Sequence, residues 1–150
     1  MQRWFGLAIF VFAVVGGGLL IGANNLPGDW YLGLVKPVFT PPGWLFGPAW
    51  TTLYVLIAIA GWRTWSRTGH SAVFSVWALQ MGLNFIWSPV VFGLHNLGLG
   101  LAIVLAMLVT ILVFIRMTWG PDRTAALCFV PYALWVAFAS TLNASLYLLN

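Results

Sequence analysis

Charge is what this sequence has least of: Asp, Glu, Lys and Arg together make up 5% of its 150 residues. A soluble globular domain carries roughly 25% charged residues and could not cover its surface with so few. A soluble enzyme, a nucleic-acid-binding domain and a disordered tail are excluded on that ground. Only two residues are acidic, Asp29 and Asp122, and neither lies inside a long apolar run. Proton- or cation-coupled transport usually needs an intramembrane carboxylate, which weighs against a transporter. The lack of an internal repeat, or of an inverted pair of broken helices, weighs the same way. The single cysteine, Cys128, excludes an internal disulfide and a cysteine-based zinc site; it reads as a small buried apolar side chain. The two histidines, His70 and His95, have no partner at ligand spacing, so no metal is expected. The six Lys and Arg give a net charge of +4, but they are scattered and form no basic stripe for nucleic acid.

What the chain has instead is apolar length: 62% of its residues are hydrophobic, and ten are tryptophan. A spanning helix needs about 20 mostly apolar residues. Five runs qualify, from Trp4 to Leu26, Trp44 to Trp65, Ala72 to Leu94, Leu97 to Thr118 and Thr124 to Leu149. The runs are continuous rather than alternating, which disfavours a β-barrel. Helices satisfy their own backbone groups in lipid, so the expected fold is an all-α membrane protein, a single five-transmembrane-helix bundle over residues 1–150. The first run is expected to be a retained helix rather than a signal peptide, because it is long and no clean small-x-small cleavage site precedes Asn24.

Three connections are short, around Gly69-His70, His95-Asn96 and Gly120-Pro121-Asp122. The first connection, Pro27 to Gly43, is long and carries Trp30, Tyr31, Lys36, Pro37, Pro41 and Pro42. Its prolines favour an extended, stiff path, and its aromatics suit a lid better than a tether. With five spans, Arg3, Arg63, Arg67, Arg116 and Arg123 fall on one side and Lys36 alone on the other. The positive-inside rule puts the arginines in the cytoplasm, with the first loop and the C-terminus facing out. Helical spans and this bias favour a bacterial inner membrane.

Four clusters are candidates for function. Trp50 and Tyr54 are four apart and share a helix face, whereas Trp44, at the start of the run, reads as an interfacial anchor. Asn84 is an uncharged polar residue inside an apolar span, either interhelical glue or a ligand contact, and Pro89 after it should loosen the helix and open space. Steps of four place Pro131, Trp135, Ala139 and Asn143 on one stripe, either plain packing or a concave site for a flat molecule. Gly18/Gly22, Ala78/Gly82 and Gly98/Ala102/Ala106 have the spacing that lets helices approach closely. Spacing does not say whether those contacts lie within one chain or between two; Ala78 and Gly82 are the dimer candidate.

At these clusters the sequence resembles the translocator protein family, also called tryptophan-rich sensory proteins or peripheral benzodiazepine receptors. The matching segments are Trp30-Tyr31, Lys36-Pro37, Pro41-Pro42, Trp44, Pro48-Ala49-Trp50 and Leu53-Tyr54. They continue with Leu83-Asn84, Pro89, Phe92-Gly93, Pro131-Tyr132, Trp135, Ala137-Phe138-Ala139 and Leu142-Asn143. Each is weak alone; the ordered set, across nearly the whole chain, is specific. The resemblance implies a five-helix bundle, usually dimeric, with a pocket that opens toward the first loop and binds porphyrins and benzodiazepine-type drugs. It implies pocket positions at Tyr31, Pro41, Trp50, Tyr54, Asn84, Trp87, Trp135 and Ala139. Some bacterial relatives are associated with light-dependent porphyrin breakdown. Two departures matter: Tyr147 is followed only by Leu148, Leu149 and Asn150, so the cholesterol motif of animal members is incomplete, and Leu105 stands where some members carry an acidic residue. Sterol binding of the animal kind is not expected.

The leading expectation is a membrane protein that binds tetrapyrroles, with a regulatory or sensory role and no required cofactor. Trp50, Trp87 and Trp135 would be aromatic walls, Asn84 a hydrogen-bonding group, and Lys36 the propionate partner or a snorkelling anchor. No haem axial ligand is apparent, which favours metal-free porphyrin. The alternatives are a porphyrin-degrading enzyme using light and oxygen, with tryptophans as electron donors, and a transporter of porphyrin-like or lipid molecules. No acid–base pair or activated nucleophile is visible for hydrolytic chemistry.

Overall fold

The computed structural model describes residues 2–150, with side chains from Trp4 onward; the Arg3 side chain lies outside the described residues. Five helices are long and apolar enough to cross a membrane: α1 (Trp4–Asn24), α2 (Gly43–Thr68), α3 (Ala72–Gly93), α4 (Leu97–Thr118) and α5 (Arg123–Leu149). No strand occurs among the described residues. The fold is an all-α, five-span bundle, as the apolar runs require.

The helix boundaries have local causes. Ser71 Oγ accepts from the Phe74 amide at 3.2 Å, Asn96 Oδ1 from the Leu99 amide at 2.9 Å and Asp122 Oδ1 from the Ala125 amide at 3.2 Å. Each cap satisfies an amide that a helix start leaves unpaired, so α3, α4 and α5 begin on side-chain caps. α2 ends at Gly69, whose φ of +55° is one that side chains resist. α1 stops at Asn24, short of the apolar run's end at Leu26, because Asn24 and Asn25 turn their side-chain amides back onto the Leu20 and Ile21 carbonyls.

Two helices carry a widened π turn, Phe12–Gly16 in α1 and Pro89–Gly93 at the end of α3. In the second, the Leu94 amide reaches back five residues to the Pro89 carbonyl at 3.0 Å. The loosening expected at Pro89 is present, and Val90 and Val91 within the widened turn are buried, Val91 against Gly100. The first connection also departs from expectation. It is not extended throughout: Asp29–Gly33 forms a short helix, and a 3-10 turn, Gly43–Leu45, already opens α2 where the connection ends. The prolines govern only the stretch from Pro37 to Pro42, whereas Asp29 stands in the first helical turn, where a carboxylate is favoured.

The helices contact one another in the ring order α1, α2, α5, α4, α3, with α3 closing onto α1 and α2. Small residues allow this. The Trp77 ring lies over Gly61 and the Tyr54 ring over Gly18, while Val91 occupies the place of a Gly100 side chain. Trp77 Nε1 donates to the Ile57 carbonyl at 3.0 Å, a tie between α3 and α2. Of the spaced small residues, Gly18 therefore serves a contact within the chain, and Gly98 does so against Tyr147. Gly22 and Gly82 have nothing within 4 Å, and Ala78 and Gly82 are both exposed on α3.

At the arginine end, Asp122 is nearly buried and ties α2 to the start of α5 through two arginines. Arg63 donates to it bidentately, Nη2 to Oδ1 at 2.8 Å and Nε to Oδ2 at 3.1 Å, and Arg67 Nη1 stands 3.4 Å from Oδ2. Burial alone would push the Asp122 carboxyl up; the Arg63 hydrogen bond, the Ala125 amide and the two guanidinium charges outweigh it and hold the carboxyl below the ordinary carboxylate range. A carboxyl depressed in the folded state stabilises that state above its unfolded pKa, and the contribution is lost as pH falls through the folded value. Asp122→Ala should cost about 1–2 kcal/mol at neutral pH, from the lost cap and ion pair together. The Asp122→Asn protein should lose less stability between about pH 5 and pH 3 than the wild type does, because its position 122 no longer titrates. Melting midpoints in detergent check both; parallel acid losses in the two proteins would contradict the assignment.

Candidate ligand-binding site

The residues singled out in the sequence fall into two joined groups. The first lies between α2 and α5. Trp50 and Tyr54, one helical turn apart, have ring centroids 5.5 Å apart, and Trp50 meets Trp135 at 6.5 Å and Tyr132 at 6.3 Å, both edge to face. Phe46 meets Trp135 at 5.8 Å from the loop end. These separations lie within the range of attractive aromatic pairs, so the cluster is closed on its own rings. Ala139, one turn beyond Trp135, is half-buried beside it. The Trp135 indole Nε1 is the one buried side-chain nitrogen or oxygen without a hydrogen-bond partner among the described residues.

A polar chain runs beneath this cluster. Tyr54 Oη donates to Asn84 Oδ1 at 3.1 Å, Asn84 Nδ2 donates to Tyr132 Oη at 2.8 Å, and Tyr132 Oη donates to Gln80 Oε1 at 3.0 Å. It links α2, α3 and α5, running from half-buried Tyr54 to the buried Asn84, Tyr132 and Gln80. Asn84 is therefore interhelical glue in this state, with each end of its amide engaged. Gln80 was not among the sequence candidates, and Tyr132 was named only in the Pro131-Tyr132 segment, with no pocket role. The signal for Gln80 was available, since it sits four residues before Asn84, on the same face of an apolar helix.

The second group belongs to the loop. Tyr31 packs edge to face on Phe92 at 5.5 Å, and Trp30 stacks on His95 at 4.3 Å. His95 has a φ of +54°, a left-handed backbone that disfavours a non-glycine residue by roughly 1–2 kcal/mol. Lys36 folds back on its own loop: Nζ donates to the Leu32 and Leu34 carbonyls at 3.0 and 3.1 Å and lies 4.9 Å from the Tyr31 ring centroid. Burial pushes the Tyr31 phenol up. The Val35 amide and carbonyl both bond the Asn150 side chain, at 2.9 and 3.1 Å, tying loop to α5. Trp87 belongs nearer the loop group than the cluster, since its Nε1 donates to Asn143 Oδ1 at 3.2 Å and its ring meets Phe92 at 5.7 Å. Phe138 bridges the groups, 5.8 Å from Trp135 and 6.3 Å from Phe39. Pro41 is half-buried in the loop, and Trp44 is 73% exposed, as a belt residue would be.

Two surface clefts are open, one of about 400 Å³ beside Trp30, His95 and Tyr147, the other of about 270 Å³ beside Arg67 and Asp122. Neither is lined by Trp50, Tyr54, Asn84 or Trp135. Trp50, Tyr54 and Trp135 instead pack against one another's rings. Among the described residues, no three His, Cys, Asp or Glu side chains converge as metal ligands would.

Residues 8–148 match the TspO/MBR family. The chain is 44% identical over 142 residues to the tryptophan-rich protein TspO of Archaeoglobus fulgidus, covering 93% of this chain and 92% of that one. It is 38% identical over 133 residues to protein CrtK of Rhodobacter capsulatus, covering 86% and 83%. With the human translocator protein it shares 31% identity over 134 residues, covering 84% and 79%.

Proposed function

Because this chain belongs to the TspO/MBR family, we propose that it is an integral membrane protein that binds metal-free porphyrins, and benzodiazepine-type drugs, in the α2/α5 aromatic cluster. The observation that carries the reading is Trp135. Its indole N–H is buried with no acceptor, amid the rings of Trp50, Phe46 and Phe138. Leaving such a donor unmade costs about 1–3 kcal/mol, and a ligand carbonyl or carboxylate entering the cluster would recover it. Ring faces now satisfied by one another would be exchanged for the faces of a flat ligand. Ala139, a small half-buried residue, stands one turn from Trp135. Lys36 would trade its two loop carbonyls for a propionate, as the only Lys or Arg on its side of the bundle among the described residues.

The loop acts as a lid in this reading. Its ties include three aromatic contacts and one side-chain amide, which are local enough to break without disturbing the five helices. Binding then has a regulatory or sensory consequence, carried by loop position. Titrating protoporphyrin IX into the purified protein tests the core of the proposal. Saturable quenching of tryptophan fluorescence is expected, and its absence would reject the proposal.

The arginine count supports an orientation with the Arg63, Arg67, Arg116 and Arg123 end in the cytoplasm, in an inner membrane. A periplasm-dependent reporter fused after Asn150 should then be active; activity of a cytoplasm-dependent reporter there would reverse the orientation. The open Ala78/Gly82 face of α3 is the proposed homodimer contact. Replacing both by Leu should weaken crosslinking without unfolding the monomer, and undiminished crosslinking would move the interface, first to the exposed Ala102 and Ala106 of α4.

A further inference from the structure

We propose that Gly18, on α1, is a specificity-determining position of the ligand site, setting its depth through Tyr54; the inference rests on the tetrapyrrole reading above. Gly18 is buried, and a Cβ there would overlap Cε2 and Cζ of the Tyr54 ring and stand 2.7 Å from Cδ2. The Tyr54 ring therefore lies directly on the α1 backbone. It is held there from two other sides, by the Oη donation to Asn84 at 3.1 Å and by Trp50 at 5.5 Å.

α1 is shaped to receive it. The π turn Phe12–Gly16 widens the helix just before this point, and Gly17 accepts the Phe85 ring of α3, whose Cζ would stand 2.9 Å from a Cβ. Two adjacent glycines thus take one ring each from α2 and α3. Gly22, a turn further on, has nothing within 4 Å. Any side chain at position 18 must push the Tyr54 ring off α1 and toward Trp50, into the volume that a ligand between α2 and α5 would occupy. A wide disc loses more from that shift than a small bicyclic drug does. Gly18 acts through Tyr54 and is a positioning residue.

The test compares protoporphyrin IX with diazepam, binding each to wild type, Gly18→Ala and Gly22→Ala. Gly18→Ala should weaken protoporphyrin by about tenfold and diazepam by clearly less, as an overpacked wall would; Gly22→Ala should change neither. The same comparison in a Tyr54→Ala background removes the clash, so Gly18→Ala should then fold and bind as Tyr54→Ala alone does. That pair decides the matter even if the single Gly18→Ala protein does not fold. A general helix or folding effect of the alanine would persist with Tyr54 gone, and its persistence would overturn the proposal, as would an unchanged protoporphyrin affinity in Gly18→Ala. No saturable protoporphyrin binding to the wild type would instead remove the tetrapyrrole reading and this inference with it.

Discussion

Trp135→Ala is expected to weaken protoporphyrin IX binding by about 1–3 kcal/mol, roughly 5- to 150-fold, by analogy with the loss of one base–aromatic stack. The substitution removes a ring that meets Trp50, Phe46 and Phe138, together with the unpartnered indole donor. Ala139→Leu should weaken binding by a different route, adding bulk beside Trp135 where the ligand would enter while leaving the ring in place. Trp44→Phe is the control, because Trp44 is 73% exposed and makes no contact with the cluster among those described. Quenching titrations read all three. Equal losses at Trp44 and Trp135 would point to a general defect, and full affinity in both Trp135→Ala and Ala139→Leu would place the ligand elsewhere.

Tyr132→Phe should cost the folded protein about 1–3 kcal/mol, measured as a lower unfolding midpoint in detergent. Tyr132 is fully buried, and its hydroxyl accepts from Asn84 and donates to Gln80. Without it, an amide nitrogen on Asn84 and an amide oxygen on Gln80 lose their partners in a place that water does not reach. Interhelical hydrogen bonds in membranes often contribute only about 0.6 kcal/mol, because a chain unfolded in lipid finds other partners. The larger value is expected here because one hydroxyl serves two buried groups at once. Tyr147→Phe, at a half-exposed site near the loop end, should be neutral. A Tyr132→Phe protein as stable as the wild type would mean that the chain from Tyr54 to Gln80 contributes little to holding the helices.

The five spans were legible because each is a continuous apolar run of membrane length, a property of local sequence. Their ends shifted by at most three residues, and where they shifted the cause was a cap or a turn: Asn24 and Asn25 closing α1, Gly69 closing α2. Trp50, Tyr54 and Trp135 were legible as aromatic residues set deeper than a belt, and the structure brings them together. The use of Asn84 was not legible, because whether a buried amide meets a ligand or a tyrosine depends on which helices adjoin it. Lys36 was read from charge alone, which could not show that its ammonium would find the Leu32 and Leu34 carbonyls first. The Asp122 anchor escaped for a similar reason. Its arginine partner lies 59 residues away in sequence, and only the packing of α2 against α5 brings the two within reach.

The central claim is that a flat ligand enters the α2/α5 cluster and engages Trp135. The most direct measurement is the ¹⁵N–¹H spectrum of the indole groups in protein labelled at tryptophan, with Trp135 assigned by Trp135→Phe, before and after saturation with protoporphyrin IX. The Trp135 resonance should move most, with Trp50 next, while Trp44 and Trp119, outside the cluster, stay in place. Saturation that left Trp135 unmoved while shifting other indoles would contradict the account.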